Sequence, residues 1–160
     1  MTHSDQIEGL ETLVQSLPQL VFRIAALTEM SPKLLSMLSY KNVVLYQNAS
    51  LKQIEQLYLE SDIYLDINHG GQVLQAVRKA FENNLLILGF EQTLQDPPYL
   101  AQENVFRQGE KDKLVARIKE IYQSIENYRH AVSNQIAQSN AIEQEVFRSR
   151  FQEGIGDRNA

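Results

Sequence analysis

The segment Asn68-His69-Gly70-Gly71 carries the residue types best suited to chemistry in this chain. Two adjacent glycines let a backbone approach a ligand closely, and a following helix offers free N–H groups and the positive end of its dipole. That combination suits a phosphate or a diphosphate. The same residues are also typical of a tight strand-to-helix turn in which glycine supplies a positive φ angle. Spacing alone leaves both interpretations open and favours the turn.

The side chains around this loop do not form a recognisable catalytic set. His69 could contact a phosphate, exchange a proton near neutral pH, or only hydrogen-bond within the turn. Arg78 and Lys79 either add positive charge near a nucleotide or complement the C-terminal end of their own helix. Glu29 and Glu91 are isolated carboxylates, and the sequence has no GxGxxG fingerprint, Walker loop or GxSxG elbow. We therefore assign no catalytic residue and expect no cofactor and no metal.

Four short runs rich in branched and aromatic residues must position this loop. They are Leu20–Ala26, Asn42–Gln47, Ile63–Ile67 and Leu85–Phe90, with a weaker fifth run at Asn104–Phe106. Such continuous apolar runs are typical of strands that are covered on both faces. Helical patterns separate them, and strands joined by helices run parallel. The sequence predicts an α/β fold with a parallel, doubly wound, Rossmann-like sheet, whose ligand crevice lies at the carboxyl ends of the strands.

Local signals place several helices between and after these runs. Ser31-Pro32 reads as a helix cap followed by a proline at the first helical position, and Ser50 and Gln53 have the spacing of a capping box. Apolar periodicity predicts an opening helix over Ser4–Leu17. From Lys111 onward the pattern predicts C-terminal helices, the last with a polar middle that crosses a surface or serves a partner.

The predicted order begins with a helix, whereas a doubly wound domain normally begins with a strand. We therefore expect a sheet that lacks its first strand and a chain that is a piece of a larger protein; the alternative is that three or four strands suffice. Open strand edges favour a homo-oligomer or a rearranged sheet. The predicted core comprises Val21, Ile24, Val44, Leu45, Ile63, Leu65, Val77, Phe81, Leu86 and Ile87.

Composition narrows the class of protein. With 160 residues, 43% of them apolar, the chain can bury one core, which we assign to residues 1–125, with a helical extension over 126–160. The net charge of -5 argues against a nucleic-acid surface. The absence of cysteine excludes disulfides and cysteine catalysis and fits a cytoplasmic protein. No apolar run approaches the roughly 20 residues that span a bilayer.

The stretch SDIYLDINHGGQVLQAVRKAFENNLLILGFE, residues Ser61–Glu91, resembles the C-terminal nucleotide-binding half of the GT-B glycosyltransferases. Together with RIAALTEMSPKL, residues Arg23–Leu34, it is similar to the accessory Sec system glycosyltransferase of Gram-positive bacteria. Within that two-protein enzyme it is nearer to the stabilising, chaperone-like subunit than to the catalytic one. The resemblance covers most of residues 4–125 and implies that Asn68, His69, Gly70 and Gly71 are a remnant of the donor-phosphate loop.

The resemblance also implies partners. These are a catalytic glycosyltransferase subunit and a serine-rich repeat adhesin polypeptide that accepts N-acetylglucosamine, with membrane association only through the complex. Related enzymes place a pair of glutamates across the loop and the next helix to contact the donor. Here no Asp or Glu lies between Asp66 and Glu82, and Gln72, Gln75 and Lys79 stand in that interval. Lysine cannot accept a hydrogen bond from a ribose hydroxyl.

These observations predict a non-catalytic, glycosyltransferase-like domain that stabilises a catalytic partner and is inactive alone. One alternative is the donor-binding half of an active enzyme that uses a UDP-sugar. Another is an unrelated small α/β domain of regulatory type.

Overall fold

Five parallel strands alternate with helices in the computed structural model, which describes residues 1–156 and the side chains of residues 1–152. The strands are β1 (Phe22–Ala25), β2 (Val43–Tyr46), β3 (Ile63–Asp66), β4 (Leu86–Phe90) and β5 (Val105–Phe106). The helices are α1 (Leu10–Ser16), α2 (Pro32–Leu35), α3 (Leu51–Glu60), α4 (Ala76–Glu82), α5 (Lys111–Ile121) and α6 (Ile125–Gly156). The predicted α/β fold is confirmed, with each strand slightly shorter than its apolar run.

The strands form two separate parallel sheets. One contains β1 and β2, and the other has the order β3-β4-β5. The free edges of β1 and β3 face a common cavity of about 450 Å³ whose lining includes residues from both strands. Within residues 1–156 no strand lies between these edges. This gap, which we call the slot, agrees with the prediction of a sheet that lacks one strand.

Capping side chains fix where two helices begin. The Ser31 hydroxyl accepts a hydrogen bond from the Leu34 N–H at 3.3 Å, with proline at the first position of α2. At α3, Gln53 N–H donates to Ser50 Oγ at 3.2 Å and Ser50 N–H donates to Gln53 Oε1 at 2.9 Å. Both predicted caps are confirmed. In each, a side-chain oxygen accepts a hydrogen bond from an N–H group that the helix itself leaves unpaired.

The predicted start of the first helix at Ser4 is wrong. α1 begins at Leu10, directly after Gly9, which has a φ angle of 67°. The preceding backbone is hydrogen-bonded elsewhere: Glu8 N–H donates to Ile67 O at 2.8 Å, and Gln6 O accepts from His69 N–H at 3.0 Å. Pairing with the end of β3 holds this segment extended, so its apolar periodicity does not become a helix.

The core forms two clusters on the two faces of the sheets. Of the predicted core residues, those that are buried are Ile24, Val77, Leu86 and Ile87, and those half-buried are Leu45, Ile63, Leu65 and Phe81. The prediction is wrong for Val21 and Val44, which are 62% and 38% exposed. Val44 lies in register with Arg23, which is also exposed, so this part of the sheet face is open to solvent. Val21 precedes β1 at the rim of the slot.

The polar middle of α6 packs against the domain through hydrogen bonds. β5 pairs only with Gly89 and Phe90, so the first half of β4 has no strand on that side. The buried Gln135 takes its place: Gln135 Oε1 accepts from Ile87 N–H at 2.8 Å, and Gln135 Nε2 donates to Leu85 O at 2.9 Å. One amide thus satisfies the backbone donor and acceptor that a neighbouring strand would otherwise pair.

Beyond Ser139 the described side chains of α6, residues 140–152, are all exposed. Neither α6 nor any other helix in the described part of the chain is both long and apolar enough to cross a membrane.

We expect Gln135→Leu to lower the free energy of unfolding by about 2–4 kcal/mol, because it leaves one buried N–H and one buried carbonyl unpaired. Gln144→Leu, at an exposed position of the same helix, is the matched control and should change it by less than about 0.5 kcal/mol. Urea denaturation monitored by circular dichroism measures both. Equal effects of the two substitutions would contradict the conclusion that the Gln135 amide replaces a neighbouring strand beside β4.

Candidate functional site

The predicted loop Asn68–Gly71 follows β3 and is folded back on itself. Asn68 is buried, and its Oδ1 accepts from Gly70 N–H at 2.9 Å. His69 N–H donates to Gln6 O at 3.0 Å, and His69 Nε2 lies 2.7 Å from Glu8 Oε2. Two backbone N–H groups of the loop are therefore already hydrogen-bonded within the chain and do not point at an open site.

The glycines do not lead directly into a helix. α4 begins at Ala76, so residues 72–75 intervene, and the prediction of a helix N-terminus adjoining the glycines is wrong. Gly70 and Gly71 do not have positive φ angles. The alternative prediction, a tight turn in which glycine supplies a positive φ angle, is therefore also wrong. The left-handed residues are instead Leu74 and Gln75, with φ angles of 49° and 52°. The chain thus turns into α4 later than the glycines.

Two residues that the sequence interpretation missed hold this loop in place. The buried Thr93 hydroxyl donates to Asp66 O at 2.6 Å. Gln95 N–H donates to Asp66 Oδ2 at 2.8 Å, and Gln95 Nε2 donates to Gly70 O at 3.0 Å. Both follow β4, at the strand end where the sequence analysis considered only the isolated carboxylate of Glu91. The sequence signal that could have identified them is a polar residue within a few positions of the end of a buried strand.

Close approach of β3 and β4 depends on Gly89. A Cβ added there would lie 2.6 Å from Asp66 O and 2.7 Å from Leu94 Cδ2, closer than carbon and backbone oxygen can pack. A side chain at this position would therefore push β4 away from Asp66 at the end of β3.

Asp66 is the buried carboxyl of the site. Burial raises its pKa to about 6 from an ordinary value of 3.8, and the hydrogen bond from Gln95 N–H and the nearby chain terminus oppose that rise. The Met1 amine lies in the same region, and burial lowers its pKa to about 6, with Asp66 opposing the change. Asp66 and Met1 thus meet at the carboxyl end of the slot as two ionisable groups that burial drives toward their neutral forms.

The N-terminal segment occupies the crevice where a ligand of an open α/β sheet binds. Thr2 N–H donates to Ala25 O at 2.9 Å at the end of β1, and residues 6–8 pair with the end of β3. A second cavity of about 330 Å³ remains beside residues 2–5. Its lining contains Asp5 and Glu29 and no lysine or arginine, which suits a diphosphate poorly.

The basic side chains of α4 and the glutamines just before this helix are exposed to solvent. Arg78 Nε is 2.9 Å from Glu82 Oε1, an exposed ion pair one helical turn apart. Gln72, Gln75 and Lys79 are exposed. Among the residues whose side chains are described, no group of three or more His, Cys, Asp or Glu could hold a metal ion.

Comparison with known families and proteins finds a matching family and similar proteins. The family described as the GftB/GlyA-F C-terminal domain matches residues 1–135. The chain is 68% identical, over 98% of its length, to the UDP-N-acetylglucosamine–peptide N-acetylglucosaminyltransferase stabilizing protein GtfB of Streptococcus gordonii. It is 48% identical, over the same share, to the protein of that description from Streptococcus pneumoniae. In both cases it spans 35% of the relative's own length.

Solved structures show the same fold. A chain in a crystal structure of a GtfA/B complex bound to UDP and GlcNAc has a TM-score of 0.81 and 70% identity. The match covers 92% of this chain and 34% of that one. The glycosyltransferase GlyE of Streptococcus pneumoniae has a TM-score of 0.67 and 29% identity, covering 74% of this chain and 30% of its own.

We expect Asp66→Asn to stabilise the chain at neutral pH. Because the folded-state pKa of Asp66 is raised, its contribution to stability is complete below about pH 4 and is lost as the pH rises through about 6. Asparagine keeps an acceptor for Gln95 N–H without the charge. The free energy of unfolding of the variant should therefore exceed that of the parent by about 1–3 kcal/mol at pH 7 and by almost nothing at pH 4.

Urea denaturation of both chains at pH 4, 5, 6, 7 and 8 measures this difference. Asp112→Asn, at an exposed position in the first turn of α5, is the control. A gain that is the same at pH 4 and pH 7 would contradict the burial of an ionising Asp66.

Proposed function

The chain belongs to the GftB/GlyA-F C-terminal domain family, and from this we propose that it is a non-catalytic, glycosyltransferase-like domain that stabilises a catalytic glycosyltransferase partner. Relatives at 68% and 48% identity are described as stabilizing proteins of a peptide N-acetylglucosaminyltransferase. A similar chain occurs in a complex of two proteins, GtfA and GtfB. Because this chain spans about a third of those relatives, the partner role of the whole protein is part of the proposal.

The observation that carries the non-catalytic role is the state of the Asn68–Gly71 loop. Its His69 and Gly70 N–H groups bond to Gln6 O and Asn68 Oδ1, and no acidic residue lies between Asp66 and Glu82. A UDP-sugar would have to break these bonds before it could use the loop. A few backbone hydrogen bonds contribute roughly 1 kcal/mol each, whereas micromolar binding needs about 8 kcal/mol.

The finer parts of the proposal follow from the resemblance of the sequence to the accessory Sec glycosyltransferase. The acceptor of the complex is a serine-rich repeat adhesin polypeptide, modified with N-acetylglucosamine in the cytoplasm before export. Membrane association occurs only through the complex. The word "peptide" in the description of the relatives supports a polypeptide acceptor, and residues 140–152 of α6, whose side chains are all exposed, are available to contact a partner.

One observation favours a second candidate, the donor-binding half of an active enzyme. The similar structure of GlyE is described as a glycosyltransferase, so this fold is compatible with catalysis. In that case Asn68, His69, Gly70 and Gly71 bind the donor diphosphate. Direct titration separates the two candidates.

We expect titration with UDP and with UDP-N-acetylglucosamine to give dissociation constants of about 1 mM or weaker, since few free donors face the ligand. Isothermal calorimetry measures them. Gly71→Val is a clean probe of the loop, because a Cβ at Gly71 would meet no atom within 4 Å. Micromolar binding that this substitution abolishes would overturn the proposal and support the enzyme.

We expect the chain to raise the thermal midpoint of its catalytic glycosyltransferase partner when the two are mixed. At a free concentration 100 times the dissociation constant, binding only the folded partner stabilises it by about 2.7 kcal/mol. Differential scanning fluorimetry of the partner, with and without this chain, measures the effect. Gly71→Val should stabilise the partner equally well. Stabilisation that requires UDP, or that Gly71→Val removes, would contradict a role independent of the donor loop.

A further inference from the structure

The second half of α6 carries an apolar stripe that no other described part of the chain covers. Four large apolar side chains lie within ten residues and are between 39% and 70% exposed. Residues four apart lie above one another on a helix, so Ile142 and Val146 form one row, the aliphatic row. Phe147 and Phe151 form the aromatic row beside it, with ring centroids 6.5 Å apart. A contiguous exposed apolar surface of this kind marks an interaction site.

The stripe has the same order of residue types from either end. Counting outward from the point between Val146 and Phe147, each apolar residue matches an apolar residue, each uncharged polar residue another, and each glutamate an arginine. The matched pairs are Val146 with Phe147, Glu145 with Arg148, Gln144 with Ser149, Glu143 with Arg150, and Ile142 with Phe151. Such a segment is complementary to a second copy of itself that runs in the opposite direction.

Two of these charges lie on the stripe itself. With about 3.6 residues per turn, Glu143 and Arg150 fall between the aliphatic row and the aromatic row. They are seven positions apart, beyond the three or four positions at which helical ion pairs form. Glu145 and Arg148 fall on the opposite side of the helix. All four side chains are exposed. A well-matched occupant of the stripe therefore offers a cation near Glu143 and an anion near Arg150.

These two charges decide the direction in which two such helices pair. In a parallel pair Glu143 would face Glu143 of the second copy and Arg150 would face Arg150, so like charges would meet. In an antiparallel pair each Glu143 faces Arg150 of the other copy. This contact occurs twice, because a two-fold axis relates the copies and each contact between two residues is repeated with their roles exchanged. Charge complementarity therefore favours the antiparallel arrangement.

We propose that residues 142–151 of α6 form a self-association surface, on which a second copy of this chain packs antiparallel about a two-fold axis. Phe147 packs against Val146 of the other copy, and Phe151 packs against Ile142. The surface lies on α6 and not at the strand edges from which the sequence predicts an oligomer. A lipid surface suits it less, because residues 140–152 contain two glutamates and two arginines, whereas helices that lie on membranes are rich in Lys and Arg.

The contact is short, so the dimer should be weak. Ten helical residues extend over ~15 Å, which provides less surface than a standard protein–protein interface buries. We expect a dissociation constant of roughly 0.1–1 mM. Sedimentation equilibrium of the chain, at concentrations from about 10 µM to about 1 mM, brackets that range and measures the constant.

Charge exchange on the stripe tests the arrangement. Glu143→Arg and Arg150→Glu each bring like charges together, and each should weaken dimerisation at least about fivefold. Glu145→Arg and Arg148→Glu make the same changes of charge on the opposite side of the helix. These matched controls should leave the dissociation constant within about twofold of the parent value. The chain that carries both Glu143→Arg and Arg150→Glu should dimerise like the parent, and so should an equimolar mixture of the two single variants.

All of these positions are exposed, and urea denaturation of each variant checks that it folds. Equal effects of Glu143→Arg and Glu145→Arg would overturn the proposal, as would a double variant that dimerises no better than the single ones. A chain that stays monomeric throughout the concentration range would also overturn it. If Phe147→Ser then lowers the thermal stabilisation of the catalytic glycosyltransferase partner, the stripe binds that partner and not a second copy.

Discussion

Backbone hydrogen bonding at the strand edges is the constraint on which the rest of this structure depends. A parallel sheet buried on both faces has no water to satisfy its N–H and carbonyl groups, so each edge needs another partner. Three different parts of the chain supply such hydrogen-bond partners here. β5 covers the end of β4, the Gln135 amide covers its beginning, and residues 2–8 bond to the ends of β1 and β3. Among the described residues, the middle of the slot has none of these partners.

The same constraint accounts for the hydrogen bonds made by the Asn68–Gly71 loop within the chain. The segment that bonds to the ends of β1 and β3 also takes the N–H of His69, while Asn68 takes that of Gly70. Gln95 then holds the carbonyl side of the loop. These loop groups therefore take part in holding the carboxyl ends of the two sheets together.

Features encoded within a few residues could be predicted from the sequence. The caps at Ser31 and Ser50 depend on neighbours three positions away, and the strands depend on short apolar runs. The parallel arrangement followed from the helices between them. The family resemblance, carried by residues 61–91, was also sufficient to identify the fold.

Features that depend on distant contacts could not be predicted. The late start of α1 results from pairing with residues about sixty positions away, and the burial of Gln135 results from an unpaired stretch of β4. Val44 was predicted to be core because its run is apolar, yet its side chain is exposed, because exposure depends on what packs on each sheet face and not on the run itself. Thr93 and Gln95 carry no motif at all; their role arises only where β3 and β4 end side by side.

The attachment of α6 through Gln135 has a consequence for how the long helix responds to its surroundings. A carboxamide supplies a donor and an acceptor on one carbon and does not titrate in the range in which proteins function. Acidification that changes the charge of Asp66 therefore leaves the joint between helix and sheet chemically unchanged. Salt has little effect either, because no ion pair is involved in this contact. The Gln135 contact between α6 and the sheet is thus independent of the charge on Asp66.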